Sequence, residues 1–279
     1  MCTLIVLRHV VPGQALVVAS NRDEYLTRPA MPPRVAAAPT EEAGVASLSF
    51  IAPRDLEAGG TWIGLNDAGL FVGLTNRPTQ GAPASGDGGV SVKVARSRGL
   101  LVRDLLGLPS VGRVREALAR VRPEGEPGSS EDPEPGYRPF QLVACDAHEG
   151  LHAVLGADAR PSLAPLPDGV HVICNRDESD PASSKVSWIR RAVESIDLEV
   201  ALPTAFDRLV GVLQSHPFGP ESLENPCVHR GDYGTRSSTV FACAPGHVHA
   251  QAWHAEGAPC RTEYENYTPL LERFQPVGV

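Results

Sequence analysis

The sequence predicts a layered α+β protein, and two observations carry that expectation. Apolar runs of strand length and stretches of helical apolar spacing come in blocks, in the order strands, helices, strands, helices, strands. Two hairpin signals stand close together near the start of the chain. This order suits sheets and helices in separate layers better than alternating βαβ units, and it is compatible with a four-layer αββα sandwich. A chain of 279 residues is long enough to bury a proper core, and one unit spanning residues 1–279 is expected.

Thr3 to Val10 is almost wholly apolar, Pro12-Gly13-Gln14 punctuates it, and Ala15 to Ser20 resumes it, so Cys2 opens the first strand of a hairpin. A second hairpin is expected where Thr61-Trp62-Ile63-Gly64-Leu65 and Leu70 to Thr75 flank Asn66-Asp67-Ala68-Gly69, and the two hairpins together imply a sheet. Residues 78–92 and 122–137, rich in Gly, Pro and small polar residues, read as flexible loops. Between them, 94–106 and 111–121 carry helical spacing. Further strands are expected at Phe140 to Cys145, Leu151 to Leu155, Gly169 to Cys174, Thr239 to Cys243 and His247 to Trp253. Helices are expected near Lys185 to Ile196 and Pro203 to Gln214.

Charge and composition narrow the function. With 25 Lys+Arg against 33 Asp+Glu the net charge is −8, and no basic block is present to neutralise neighbouring phosphates, which argues against nucleic acid as a partner. The first apolar run is cut by Arg8 and has no basic region before it, and no run approaches the roughly 20 residues that span a bilayer. A soluble, cytoplasmic protein is expected. Six scattered cysteines without a CxxC pair read as buried thiols. Cys227-Val228-His229 and Cys243 with His247 and His249 match no standard zinc template, and alternation along strands accounts for them equally, so no metal and no cofactor is expected.

The chemistry points to Cys2. Methionine before a small residue is normally clipped, which leaves a thiol and a free α-amine on one residue. With the amine titrating at about 7.7 to 8.0 and the thiol at about 8.5, the amine can take the thiol's proton near neutral pH. A small residue that merely opens a strand is the other reading. Asn21-Arg22-Asp23-Glu24 ends the returning strand, where a carboxylate can hold an ammonium and a guanidinium can favour a thiolate or bind an acyl carboxylate; a solvated strand end is the alternative. Tyr233-Gly234-Thr235-Arg236-Ser237-Ser238-Thr239 puts Arg236 among hydroxyls at the entrance of an apolar strand. There it suits carboxylate or phosphate binding, or a surface salt bridge. Asn175, after the strand ending in Cys174, can donate to an oxyanion or simply form a turn.

Met1-Cys2-Thr3, Asn21-Arg22-Asp23-Glu24 with Arg28-Pro29, Gly60-Thr61-Trp62-Ile63-Gly64-Leu65-Asn66, Leu74-Thr75-Asn76-Arg77, Ser97-Arg98-Gly99, Cys174-Asn175, Lys185-Val186 and Tyr233 to Thr239 together resemble the NRDE family of transport-and-Golgi-organisation-2-like proteins, nearly end to end. That family in turn resembles the cysteine N-terminal-nucleophile amidases. The resemblance implies Cys2, Asp23, Asn76, Asn175 and Arg236 as catalytic positions and Asn21, Arg22, Glu24, Trp62 and Arg77 as substrate contacts. It implies a cysteine amidohydrolase or acyltransferase cleaving C–N bonds in a small acylated substrate, or else a carrier of haem, lipid or acyl-CoA that has kept the fold. The amidases separate their Arg and Asp by two residues, whereas Arg22 and Asp23 are adjacent and point to opposite faces of a regular strand. Either Asn21 and Asp23 or Arg22 and Glu24 face Cys2.

Overall fold

The structure, a computed structural model, describes residues 2–39, 47–78, 95–124, 126, 136–157, 159–176, 183–245 and 250–272. Among these residues the strands form two antiparallel sheets with seven strands each. The first hairpin, β1 (Thr3–Arg8) and β2 (Leu16–Tyr25), turns through Gly13 at φ 76°. The chain then crosses to the second sheet through β3 (Ala30–Ala37) and β4 (Ser49–Asp55), and continues with the second hairpin, β5 (Ile63–Asn66) and β6 (Phe71–Asn76). The two hairpins therefore belong to different sheets, because β3 and β4 carry the chain across before the second one forms.

Helices α1 (Arg98–Leu105) and α2 (Val111–Leu118) lead into β7 (Phe140–Cys145), β8 (Gly150–Leu155) and β9 (Ser162–Pro165), which complete the meander β3-β4-β5-β6-β7-β8-β9. The chain returns to the first sheet at β10 (Gly169–Ile173), beside β1. After α3 (Ser184–Glu194) and α4 (Leu202–Leu213) come β11 (His229–Arg230), β12 (Tyr233–Cys243), β13 (Gln251–Ala255), β14 (Glu265–Asn266) and α5 (Thr268–Leu271). The first sheet runs β10-β1-β2-β12-β13-β14, with β11 also on β12.

The segment Tyr233 to Thr239 does not precede a strand; it is the first half of β12. The ladder with β2 tolerates it through a register shift between Thr235 and Ser237, which leaves Arg236 at the irregularity. The loops expected at 78–92 and 122–137 fall mostly outside the described residues, as does the start of the strand expected at His247 to Trp253, whose described part is β13.

Alternating side chains divide the interior into three apolar clusters. Ile5, Leu7, Val17 and Ala19 join Val186, Ile189, Leu209 and Leu213 of α3 and α4. Val72, Leu74, Leu142 and Ala153 of the second sheet pack with Leu101, Leu105, Val114 and Leu118 of α1 and α2. Leu4, Val6, Leu16, Val18 and Phe241 meet Ile51, Ile63, Leu65, Phe71 and Val143 between the sheets. There Phe71 and Phe241 cross edge to face at 6.3 Å, an arrangement worth about 0.5 to 1.5 kcal/mol beyond the area it buries. No helix among the described residues is long and apolar enough to cross a membrane.

Candidate functional site

The alternation that builds the cores decides which motif residues meet. Leu16 and Val18 face the other sheet, so Arg22 and Glu24 do too; Val17 and Ala19 face the helices, so Asn21 and Asp23 follow them. Cys2, in phase with Leu4 and Val6, shares the face of Arg22. The ladders pair Thr3 with Asn21, Leu4 with Ile173, and Ser237 with Arg22. Continued one step beyond the first pair and two beyond the second, they bring Asn175, Cys2, Arg22 and Ser237 level across four adjacent strands, neighbours about 4.8 Å apart. This polar rung lies at the edge of an otherwise apolar space.

Arg22 and Asn175 are held from outside the rung. The Arg22 guanidinium stacks over the Trp62 ring, 4.2 Å from its centroid, and lies 3.7 Å from Asp55. Asp55 is in turn gripped by Arg28 through Nε at 3.0 Å and Nη2 at 2.7 Å. Although burial raises it, the Arg28 hydrogen bonds and charge hold Asp55 below its ordinary value of 3.8. Asn175 donates through Nδ2 to the Asn76 carbonyl at 2.5 Å. The preceding carbonyl, of Cys174, accepts from Thr75 Oγ1 and Gln141 Nε2, both at 2.8 Å, so the second sheet grips the end of β10. Among the described residues, three buried polar atoms of this rung lack a hydrogen-bond partner: Arg22 Nη1, Asn175 Oδ1 and Ser237 Oγ. Unpaired buried polar atoms are costly, and their concentration around one thiol marks where a polar ligand gains most.

Burial pushes the Cys2 thiol above its ordinary value, the Asp23 carboxylate adds to the rise, and Arg22 and a hydrogen bond from the Asp23 backbone N–H oppose it. Burial likewise lowers Arg22, against the pull of Cys2, Glu24 and Asp55. Arg98 is brought down to about 10 by burial and by Arg138, while Cys2 and Glu24 draw it up. Arg98 Nη1 and the Arg77 backbone N–H both donate to the Pro139 carbonyl, at 2.9 and 3.1 Å. Arg236 pairs with Glu256 at 2.7 Å; Glu256 also meets His254 Nε2 at 3.1 Å, and His254 Nδ1 meets Thr239 Oγ1 at 2.9 Å.

Asp23 and Asn21 work on the opposite face. The Asp23 carboxylate accepts from Lys185 Nζ at 3.0 Å and Thr235 Oγ1 at 2.7 Å, all three groups buried. Burial lowers Lys185, but Asp23 outweighs it and holds the ammonium above its ordinary value. Asn21 Nδ2 donates to the carbonyls of Leu213 and Pro226, each at 2.9 Å, closing the base of the loop between them. The structure thus brings Cys2, Arg22, Asn175 and the Asn76 carbonyl together, with Trp62 beneath and Glu24 on the same face. Asp23 hydrogen-bonds Cys2 only through its backbone N–H, and Arg236 stands at the far end beside Ser237. Asp55 and Glu256 carry no sequence signal; Arg98 and Lys185 stand in motif segments, but only the fold directs them here.

A cleft of about 1060 Å³ opens on the helix side of β12, lined by Tyr233, Thr235, Arg236 and the segments around His216, His229 and Cys260; Cys2 does not line it. Among the described residues, the ligand-type side chains of His216, His229 and Cys260 cluster on its wall with that of Cys227 behind them.

The chain matches the family Transport and Golgi organisation 2 over residues 1–251. Comparison with curated protein sequences returns no match. Among solved structures it is similar to the Caenorhabditis elegans ortholog of N-acylethanolamine-hydrolyzing acid amidase, with TM-score 0.55, 15% identity, and 88% of this chain and 93% of that one covered. It is also similar to the C2A mutant of the conjugated bile acid hydrolase from Clostridium perfringens, with TM-score 0.57, 11% identity and 96% of each chain covered. At such identities the likeness is one of fold.

Proposed function

The chain belongs to the Transport and Golgi organisation 2 family, and we propose that Cys2 acts in it as the N-terminal nucleophile of a cysteine amidohydrolase or acyltransferase on a small acylated substrate. We read the architecture as a four-layer αββα sandwich, supported by the helix–sheet, sheet–sheet and sheet–helix clusters. The observation that carries the functional reading is the rung: a thiol level with Arg22 and Asn175, ringed by buried polar atoms without partners. The amide-hydrolysing enzymes of similar fold add support, one of them studied as a mutant of a cysteine at its second position.

In this reading Met1 is removed and the freed α-amine of Cys2 takes the thiol proton. The sulfur attacks the amide carbonyl carbon, and the carbonyl π pair moves to oxygen. The second Nδ2 proton of Asn175, the one not donated to Asn76, stabilises that oxyanion. As the oxyanion collapses, the C–N bond breaks, the ammonium proton goes to the leaving nitrogen, and an acyl-thioester remains on Cys2. Water, or an acyl acceptor in a transferase, gives a proton to the now neutral α-amine, attacks the thioester carbon and expels the thiolate, releasing the acyl product and restoring the ammonium–thiolate pair. Arg22 favours the thiolate, and with Arg98, Arg77 and Trp62 it offers a cationic, flat-walled seat to an acyl group bearing a carboxylate. Asp23 positions the strand from behind, through Lys185 and Thr235. Arg236, oriented by Glu256, binds the far end of the substrate.

Intact-mass spectrometry of the purified chain tests this. A species lacking Met1 that gains an acyl mass on Cys2 when offered N-acyl amino acids or N-acyl ethanolamides, with release of the amine, is the expected result; Cys2→Ala abolishes both. Full retention of Met1, or undiminished amine release by Cys2→Ala, sinks the mechanism. Absence of any adduct, with haem or acyl-CoA bound and released equally by both proteins, favours the carrier instead.

A further inference from the structure

We propose that His216, Cys227, His229 and Cys260 form a tetrahedral binding site for a zinc-class divalent cation, separate from the Cys2 rung. The four ligand-type atoms lie within 4.8 Å of one another. Cys227 Sγ is 3.6 Å from Cys260 Sγ and 3.6 Å from His229 Nε2, and His229 Nε2 is 3.1 Å from Cys260 Sγ. A tetrahedral zinc with bonds of about 2.3 Å to sulfur and 2.0 to 2.1 Å to nitrogen requires edges of roughly 3.8 Å between sulfurs and 3.6 Å between sulfur and nitrogen. Three ligand atoms therefore already stand close to the edges of one coordination tetrahedron, and a ring nitrogen of His216 is within a small side-chain movement of the fourth corner.

The chemistry of the set selects the ion. Two thiolates and two neutral imidazoles in tetrahedral array suit zinc, whereas calcium and magnesium require oxygen ligands. Binding breaks the two S–H bonds, passes both protons to solvent and leaves a site without net charge. Four protein ligands leave no open position, so the role is structural.

The placement gives that role content. The ligands come from three segments: the chain leaving α4 carries His216, the stretch that enters β11 carries Cys227 and His229, and the loop after β13 carries Cys260. Their surroundings are already braced. Gln214 Nε2 donates to the Pro259 carbonyl at 2.9 Å, Cys227 N–H to Ser215, and Asn225 closes the intervening loop on Phe218 and Gly219. The rings of His216 and His229 stack at 5.2 Å. Exposed His216 provides the side from which an ion enters, and buried Cys227 the anchor. Between the ligands Cys227 and His229, the Val228 N–H donates to Thr235 Oγ1, which itself donates to Asp23. An ion here would pin the wall of the 1060 Å³ cleft to the strand that carries Arg22.

The test uses the full chain expressed in zinc-containing medium and purified without chelator. Elemental analysis is expected to find one zinc per chain. Replacement by cobalt(II) is expected to give the visible bands and thiolate charge-transfer absorption of a tetrahedral centre. His216→Ala, at an exposed position where folding is not at stake, should weaken zinc by more than about tenfold, since even outer-shell losses cost 10- to 100-fold. Cys260→Ser should abolish stoichiometric uptake, while His148→Ala keeps it. Zinc well below one equivalent in a chain with its thiols reduced, an octahedral cobalt spectrum, or a Cys227–Cys260 disulfide in protein kept under reductant overturns the proposal. So does undiminished binding by the His216 and Cys260 variants.

Discussion

Gly60 and Gly99 touch through their backbones, and adding one methyl group at Gly60 tests what that contact does. A Cβ built at Gly60 would lie 2.2 Å from the Gly99 carbonyl carbon, 2.4 Å from its oxygen and 2.5 Å from the Leu100 nitrogen. All three are backbone atoms at the start of α1, so no side chain can swing aside; the helix must move by more than an ångström. Overpacking of this kind costs about 1 to 3 kcal/mol. The Thr61 N–H to Gly99 O hydrogen bond, at 3.0 Å, would be strained or lost for about another 1 kcal/mol. The reduced freedom of the unfolded chain returns about 0.4 to 1 kcal/mol. The net effect is a destabilisation of about 1 to 3.6 kcal/mol, and at roughly 2 °C per kcal/mol for a chain of this size the melting temperature should fall by about 2 to 7 °C. Gly211→Ala is the matched control: it lies within α4 with no atom within 4 Å of the new carbon, and should gain about 0.5 to 1 kcal/mol. Differential scanning calorimetry of both variants decides the matter. Equal shifts, or a Gly60→Ala protein that melts no lower than the parent, would refute the claim that this backbone contact sets the distance between α1 and the Trp62 segment.

Three further outcomes follow from the site. Arg22 pulls the Cys2 thiol toward ionisation, so Arg22→Gln should slow iodoacetamide labelling of Cys2 roughly several-fold at pH 8 and move its pH profile upward, while Arg22→Lys largely preserves it; peptide mapping of the label reads this out. Asp55 ionises below its unfolded value, so its contribution is complete above about pH 4 and disappears as pH falls through the depressed value; Asp55→Asn should cost about 1 to 2 kcal/mol at pH 7 and flatten the acid limb of stability against pH, measured by urea unfolding. Lys185→Met strands the buried Asp23 carboxylate and should cost about 3 to 5 kcal/mol, whereas Lys185→Met with Asp23→Asn should cost less than the sum of the two single changes; additive losses in denaturant titrations would count against a coupled pair.

Much of this was legible in residue order, and what was not has identifiable causes. Two of the strands that sequence patterns miss lie at the edges of the second sheet: β3 contains Pro32 and Pro33, whose missing N–H groups fit the irregular stretch between Met31 and Arg34, and β9 is largely exposed; β4, missed as well, lies inside that sheet. The register at Asn21 to Glu24 could not be read because Leu16-Val17-Val18-Ala19 is buried on both faces and so carries no alternation to count. Only the division of those residues between the sheet–sheet and helix–sheet cores reveals that Arg22, not Asp23, looks toward Cys2. Asp55 has no motif, and its importance comes from a fold that returns it to Arg22 and Arg28. The spacing of Cys227 and His229 matched no zinc pattern because their companions stand 11 residues before Cys227 and 31 after His229, at His216 and Cys260.

The opposed directions of Arg22 and Asp23 also constrain how this protein can change. Parity along the strand ties each side chain to its compartment, so lengthening β2 by one residue just before Arg22 would swing a guanidinium toward the Lys185 ammonium and turn a carboxylate toward the sulfur. Both compartments would fail together. Changes of length between Ala19 and Glu24 should therefore be absent from any working descendant of this chain.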